Sequence, residues 1–343
     1  MAKVNFFRGY EFQDCSSRGY LMRTVLSVSV SVVAAFLVAR TIDLATFLAA
    51  LERVHIAPLL VAFSLNSVLF LFGSWRLQRL YFALGRKPKL AHFYRAVLIG
   101  FFGNVVLPLR AGELAKAAIV SRHGNSARST ALSVVFVERV SDFTVVLVLL
   151  FMSLFIVGTD KVRPISVIAL SAVLLIAVVA MVLVSHRPEL IGGVIGRLLR
   201  SKKGVAATRR FASGFALLRQ TRGFFWTLGT TLLFWTVQYL IYYFATLSLG
   251  FQITVPHLLF LLAVTAFGSA IPSGPAQLGT LEGAIVVAMG IIGIPAAESL
   301  PFAVVYHASQ IAFVLLFGAI AVPIETSVFG GFRQLFRPPG VSA

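Results

Sequence analysis

Residues 95–120 read RAVLIGFFGNVVLPLRAGELAKAAIV, an apolar run interrupted in its middle by Asn104, Pro108, Arg110, Gly112 and Glu113. Proline has no backbone donor and clashes with the preceding turn, so a helix entering this stretch stops before it leaves. Neither half is long enough to cross a hydrocarbon core about 30 Å thick, which takes about 20 apolar residues. In lipid, the backbone groups freed at such a break must be satisfied by protein or by a wet cavity. The stretch therefore predicts a re-entrant helical hairpin hinged at Pro108 and Gly112, entering and leaving the bilayer on one side. Residues 257–294 repeat the pattern, with hinges at Pro272, Gly274, Pro275 and Gly279 and a carboxylate at Glu282.

Outside these two stretches, apolar runs at 22–40, 57–75, 131–157, 165–185, 223–248 and 300–322 are long enough to span. Hydrophobic residues are 58% of the 343 positions and charged residues 12%. A soluble domain carries roughly 25% charged residues, so most of this chain does not face water. The first run is read as an uncleaved helix, since no small-residue cleavage site follows it.

The net charge of +18 lies in the connections. Loop 76–95 holds six basic residues, loop 121–130 holds Arg122 and Arg128, and loop 186–222 holds nine against Glu189 alone. Loop 40–56 is balanced, and 249–256 is uncharged. Basic loops stay in the cytoplasm, which predicts a multi-pass protein of the cytoplasmic (inner) membrane with both termini inside. The hairpin between two inside loops then enters from the cytoplasm, and the second enters from the opposite face. The expected fold is all-α integral membrane: one domain over 1–343, six full transmembrane helices plus two opposed re-entrant hairpins. Repeat 1 covers 22–157 and repeat 2 covers 165–322, related by inverted topology. Loop 186–222 reads as a basic amphipathic segment on the inner leaflet.

Several functions are disfavoured. The basic residues flank apolar spans instead of forming a folded polar face, which argues against nucleic acid. Cys15 stands alone, and the six histidines show no ligand spacing, so no metal site is expected. There is no phosphate-binding Gly-rich loop, no His-Glu-x-x-His and no Gly-x-Ser-x-Gly, so neither a cofactor nor an enzyme is predicted.

What remains is a set of ionisable groups at membrane depth: Arg110, Glu113, Lys116, Glu138, Arg139, Asp142 and Glu282. Each costs roughly 2.5–3.5 kcal/mol at a helix centre, so they must pair or line a hydrated cavity. Glu138 and Asp142 share a helix face at i,i+4, and Arg139 is expected to bridge Asp142 and Glu113. Such a network can be purely structural or can handle substrate or protons, and the two are compatible. Glu113 and Glu282 follow glycines where each second half-helix starts. They can offset the positive helix end, or the exposed N–H groups can bind an anionic headgroup, with Arg110 and Lys116 adding charge. His307, with Gln310 three residues on, reads as a buried hydrogen-bonded imidazole or as a titrating group. Asn66, Gln238 and the Tyr239–Tyr243 cluster read as interhelical hydrogen bonders.

The stretch NVVLPLRAGELAKAAIVSRHGNSARSTALSVVFVERVSD, residues 104–142, resembles the flippase-like membrane family typified by the transmembrane half of lysylphosphatidylglycerol synthase. The matching letters are Pro108, Arg110, Gly112, Glu113, Glu138, Arg139 and Asp142. Residues 272–310 resemble its second signature, with two departures: Gly274-Pro275 stands in inverted order, and Tyr306-His307 stands where many members have Tyr-Arg. The resemblance implies translocation of an aminoacylated phospholipid, or of a related lipid-linked molecule, between leaflets. No aminoacyl-transferase domain is read in the sequence, so the likeness is to stand-alone members whose substrates vary. The function expected is a lipid flippase; the alternatives are a secondary transporter of a small polar solute and a lipid-modifying membrane enzyme. Membrane lipids are the expected partners, with a homo-oligomer left open.

Overall fold

The structure, a computed structural model, describes residues 49, 51–107, 111–157, 221–270 and 273–328. The expected spans 22–40 and 165–185, residues 186–220 of the expected loop 186–222, both tails, and Pro108, Arg110 and Pro272 lie outside the described residues.

Among the described residues the chain is helical without strands. Its helices are α1 (Ile56–Ala83), α2 (Leu90–Val106), α3 (Gly112–His123), α4 (Arg128–Val157), α5 (Thr221–Ser248), α6 (Val255–Ala270), α7 (Thr280–Ile291) and α8 (Ala296–Val328), with a 3-10 turn at Pro275–Gln277 before α7. α1, α8 and residues 223–248 of α5 are long and apolar enough to cross a membrane. α2, α3, α6 and α7 are 17, 12, 16 and 12 residues long. At 1.5 Å per residue these reach roughly 18–26 Å, short of a hydrocarbon core. Both interrupted stretches are thus pairs of short helices, broken where their prolines and glycines sit.

One boundary differs from expectation. The first described span was expected to end at residue 75, with Arg76 opening a basic loop. Instead α1 runs on to Ala83 and buries Arg76, Leu77, Leu80 and Tyr81 on one face. That spacing continues the apolar stripe through the charge. Arg76 is therefore no loop residue.

α2 and α3 fold back on one another with almost no side chain between them. Gly103 faces Gly112, and Gly100 faces Lys116, so the two helices run antiparallel. A Cβ on Gly112 would fall 1.8 Å from the Gly100 carbonyl oxygen. Lipid tails are as apolar as leucine, so association in a membrane relies on such close packing and on hydrogen bonds more than on burial. In the second pair, Gly268 of α6 sits against Ala284 of α7.

The order long, short, short, long occurs twice, as α1–α4 and as α5–α8. The packing pairs off in the same way. α1 lies along α5, α2 rests on α8, and α6 rests on α4. Phe102 fills the space left by Gly318 in the second contact, and Phe143 meets Phe267 edge-on in the third, ring centroids 5.3 Å apart. One apolar core gathers Leu77, Phe93, Val134 and Phe313 around the first pair; the other gathers Leu150, Ile241, Leu261 and Ile285 around the second. Outward-facing positions such as Ile56, Leu60, Phe225 and Leu316 are large, apolar and exposed, as expected where the solvent is lipid.

Candidate functional site

Arg76 lies in the middle of a buried ion cluster drawn from three helices. Its Nη1 donates to Asp142 Oδ1 at 2.6 Å and to Thr231 Oγ1 at 3.1 Å. Its Nη2 donates to Glu138 Oε1 at 2.9 Å and to Asp142 Oδ2 at 3.2 Å. Lys116, from the second turn of α3, reaches Glu138 Oε2 at 3.1 Å and Glu113 Oε2 at 2.8 Å. Arg139 lies 3.2 Å from Glu113 Oε1 and 3.7 Å from Asp142 Oδ2. The indole Nε1 of Trp235 donates to Asp142 Oδ1 at 3.3 Å.

Three cations thus face three carboxylates, and the cluster is neutral as a unit. Left unpaired in hydrocarbon, six such charges would cost on the order of 15–20 kcal/mol. Neutrality and mutual hydrogen bonding make the cluster tolerable, and they tie α1, α3 and α4 together. The bridge by Arg139 between Glu113 and Asp142 matches the sequence expectation. Arg76 was missed because a charge next to an apolar run reads as the run's end. The only signal for it was the apolar face continuing beyond it at Leu77, Leu80 and Tyr81.

A second ionisable pair belongs to the other half. His307 Nδ1 lies 2.6 Å from Glu282 Oε1, and the Gly279 N–H donates to Glu282 Oε2 at 2.7 Å. Glu282 therefore caps the start of α7 from inside its first turn, satisfying a donor that has no partner in the helix. The partner of His307 is this carboxylate and not Gln310. Gln238 does bond across helices, donating to Tyr306 Oη at 3.1 Å, and Tyr242 donates to Thr265 at 2.8 Å. Asn66 departs from expectation: its amide donates within its own helix, to Ala62 and Phe63 carbonyls.

Between the two groups lies a cavity of about 510 Å³. Its polar lining comes from both halves: Asn104, Glu113, Arg139 and Asp142 from one, Gln238, Gln277, Tyr306, His307 and Gln310 from the other. The remaining walls are largely apolar, with Phe70, Phe101, Phe143, Phe234 and Phe267 among them. Arg76, Lys116, Glu138 and Glu282 stand behind this lining. Arg139 is the most open of the ions, its side chain 38% exposed, against 1% for Arg76 and Lys116. Asn104 Oδ1, Arg139 Nε and Gln310 Nε2 are buried without a hydrogen-bond partner among the described residues. Unsatisfied buried polar atoms are rare, and three among the residues lining one cavity fit a polar occupant.

The break in the second pair adds strain to the cavity lining. Ala276 and Gln277, both lining the cavity, have φ of 55° and 61°, in the left-handed region. For residues with a Cβ this costs on the order of 1–2 kcal/mol each. Gln277 Nε2 donates to the Ser269 carbonyl at 3.0 Å, which fixes the turn. Of the expected hinges, Gly279 (φ 81°) caps α7, Gly274 and Pro275 open the 3-10 turn, and Gly112 is where the backbones of α2 and α3 touch.

Residues 24–318 match the family profile described as the lysylphosphatidylglycerol synthase TM region. UPF0104 membrane protein MJ1078 of Methanocaldococcus jannaschii is 24% identical over 220 residues, which cover 64% of this chain and 92% of that protein. The profile spans both ion groups and every residue of the cavity lining. Together with its apolar helices this makes the protein a multi-pass membrane protein. The chain belongs to the family defined by the transmembrane region of lysylphosphatidylglycerol synthase.

Proposed function

We propose that the protein is a flippase, moving the headgroup of a phospholipid or a lipid-linked molecule between the leaflets of the inner membrane, and that it is not an enzyme. The observation that carries the reading is the cavity shared by the two broken helix pairs, with ions on one wall, partnerless polar atoms and phenylalanine elsewhere. A headgroup needs the first two; the adjoining acyl chains tolerate the third.

In this reading α2–α3 and α6–α7 are re-entrant hairpins that dip in from opposite faces, within six spans related as an inverted repeat, with both termini in the cytoplasm. The twofold recurrence of long, short, short, long supports it, as does the basic character of the loops on one predicted side. Arg139 is the group that meets the headgroup phosphate, because its planar donors engage two oxygens and its Nε has no partner among the described residues. Glu113 and Asp142, on either side of Arg139, receive the ammonium of an aminoacylated headgroup. The ions behind them hold Arg139 and its carboxylates in place.

The test is leaflet exchange in proteoliposomes. Fluorescent-tailed phosphatidylglycerol and its lysyl ester are reconstituted with wild type and with Arg139→Gln, and a membrane-impermeant quencher reads the outer leaflet. Wild type accelerates exchange over protein-free vesicles, and Arg139→Gln loses at least about tenfold, equivalent to about 1.4 kcal/mol, while the variant still inserts and elutes as folded, monodisperse protein. Equal exchange by wild type, variant and empty vesicles overturns the proposal.

A further inference from the structure

At the ends of α2 and α3 remote from their break lies a second convergence of side chains, separate from the cavity. His92 stands in the first turn of α2, and His123 is the last residue of α3. Their rings stack, centroids 4.0 Å apart and planes 17° from parallel. Glu325, near the end of α8, is fully buried with 0% exposure, and its Oε1 meets His123 Nε2. Arg95 Nε donates to the other oxygen, Oε2, at 2.7 Å. One nitrogen of each imidazole and one oxygen of Glu325 all fall within 4.8 Å of one another. In sequence these residues are far apart, so no ligand spacing betrays them.

We infer that His92, His123 and Glu325 form a binding site for a borderline divalent transition metal, Zn²⁺ being the probe ion of choice. Two neutral imidazoles and one carboxylate are a common zinc donor set. The same set is poor for Mg²⁺ or Ca²⁺, which want several oxygens. The three ligands come from three different helices, so a bound ion fastens both outer ends of the first short-helix pair to the last helix of the second half. Arg95 takes the place of an outer-shell partner, orienting the carboxylate so that Oε1 faces the imidazoles.

A clasp made only of ion pairs accounts for part of this geometry. Glu325 is satisfied by Arg95 and His123 alone. It gives no reason for a second imidazole to be laid flat against the first beside a buried carboxylate. Arg95 also works against a metal, through its own charge and because its Nη2 lies 2.5 Å from His92 Nδ1 and engages that lone pair. Arg122, next to His123, adds to the local positive charge. The site is therefore one of moderate affinity, in the micromolar range, and Arg95 is the residue that keeps it weak.

The experiment uses the full chain without a histidine tag, stripped with chelator in detergent, and titrated with Zn²⁺ by calorimetry and with Co²⁺ by absorption. One equivalent is expected to bind and to raise the thermal unfolding midpoint. His92→Asn and His123→Asn each weaken binding about tenfold or more and remove the Co²⁺ band of an imidazole-ligated site. Arg95→Gln strengthens it, an outcome a clasp without metal does not produce. If Glu325→Gln fails to fold, the histidine variants at the helix ends decide the matter. Absence of stoichiometric binding, or binding unchanged in both histidine variants, overturns the inference and leaves an ion-pair clasp. None of these readouts depends on lipid transport, so this inference and the flippase proposal fail separately.

Discussion

Replacing Arg76 with methionine is the sharpest test of the ion cluster. The guanidinium is 1% exposed and holds both oxygens of Asp142, one oxygen of Glu138 and the hydroxyl of Thr231. Methionine fills most of the volume but leaves the cluster with two cations facing three carboxylates. Glu138 keeps Lys116 at 3.1 Å, whereas Asp142 keeps only Trp235 at 3.3 Å and Arg139 at 3.7 Å. Removing one partner of a buried pair costs about 3–5 kcal/mol, chiefly because a charge is left without compensation. At about 2 °C per kcal/mol for a chain of this size, the unfolding midpoint in detergent should fall by about 6–10 °C. Adding Asp142→Asn restores neutrality and still offers an acceptor to Trp235. The double variant should therefore be more stable than the sum of the two singles by about 1–3 kcal/mol. Thermal unfolding followed by tryptophan fluorescence measures all three variants. A fall of less than about 2 °C for Arg76→Met, or strict additivity in the double variant, would refute the reasoning.

Gly112→Ala should abolish monodisperse, folded protein on size exclusion, because its Cβ would fall 1.8 Å from the Gly100 oxygen; Gly290→Ala in α7, where nothing lies within 4 Å, should be neutral or stabilise by up to about 1 kcal/mol. Glu282→Ala removes the acceptor for the Gly279 N–H and the partner of His307, and should lower stability by about 1.5–3 kcal/mol in the same unfolding assay. In a Cys15→Ser background, Lys87→Cys and Asn125→Cys should be labelled from one face of the membrane and Gln252→Cys from the other; labelling of all three from one face would sink the opposed-hairpin topology.

The breaks in both apolar stretches were legible because proline and glycine act locally. Their helices begin and end within a few residues of where Pro108, Gly112, Pro275 and Gly279 demand. The Arg139–Asp142 half of the bridge was legible because i,i+3 neighbours on a helix meet whatever surrounds them; its Glu113 half followed only from the need to pair ions at membrane depth. Arg76 was not, since hydropathy along a line treats a cation as water-facing, and only partners brought in from α4 make its burial affordable. The same holds for His307, whose carboxylate lies 25 residues away on another helix. His92, His123 and Glu325 were beyond reach for the same reason on a larger scale, with 202 positions between the latter two. Local chemistry survives in the string; long-range pairing exists only once the helices have packed.

Each pair of short helices leans on a long helix that belongs to the other half, α2 on α8 and α6 on α4. Each half thereby braces the other's broken helices, so losing either half would leave a pair of short helices without the long helix it packs on.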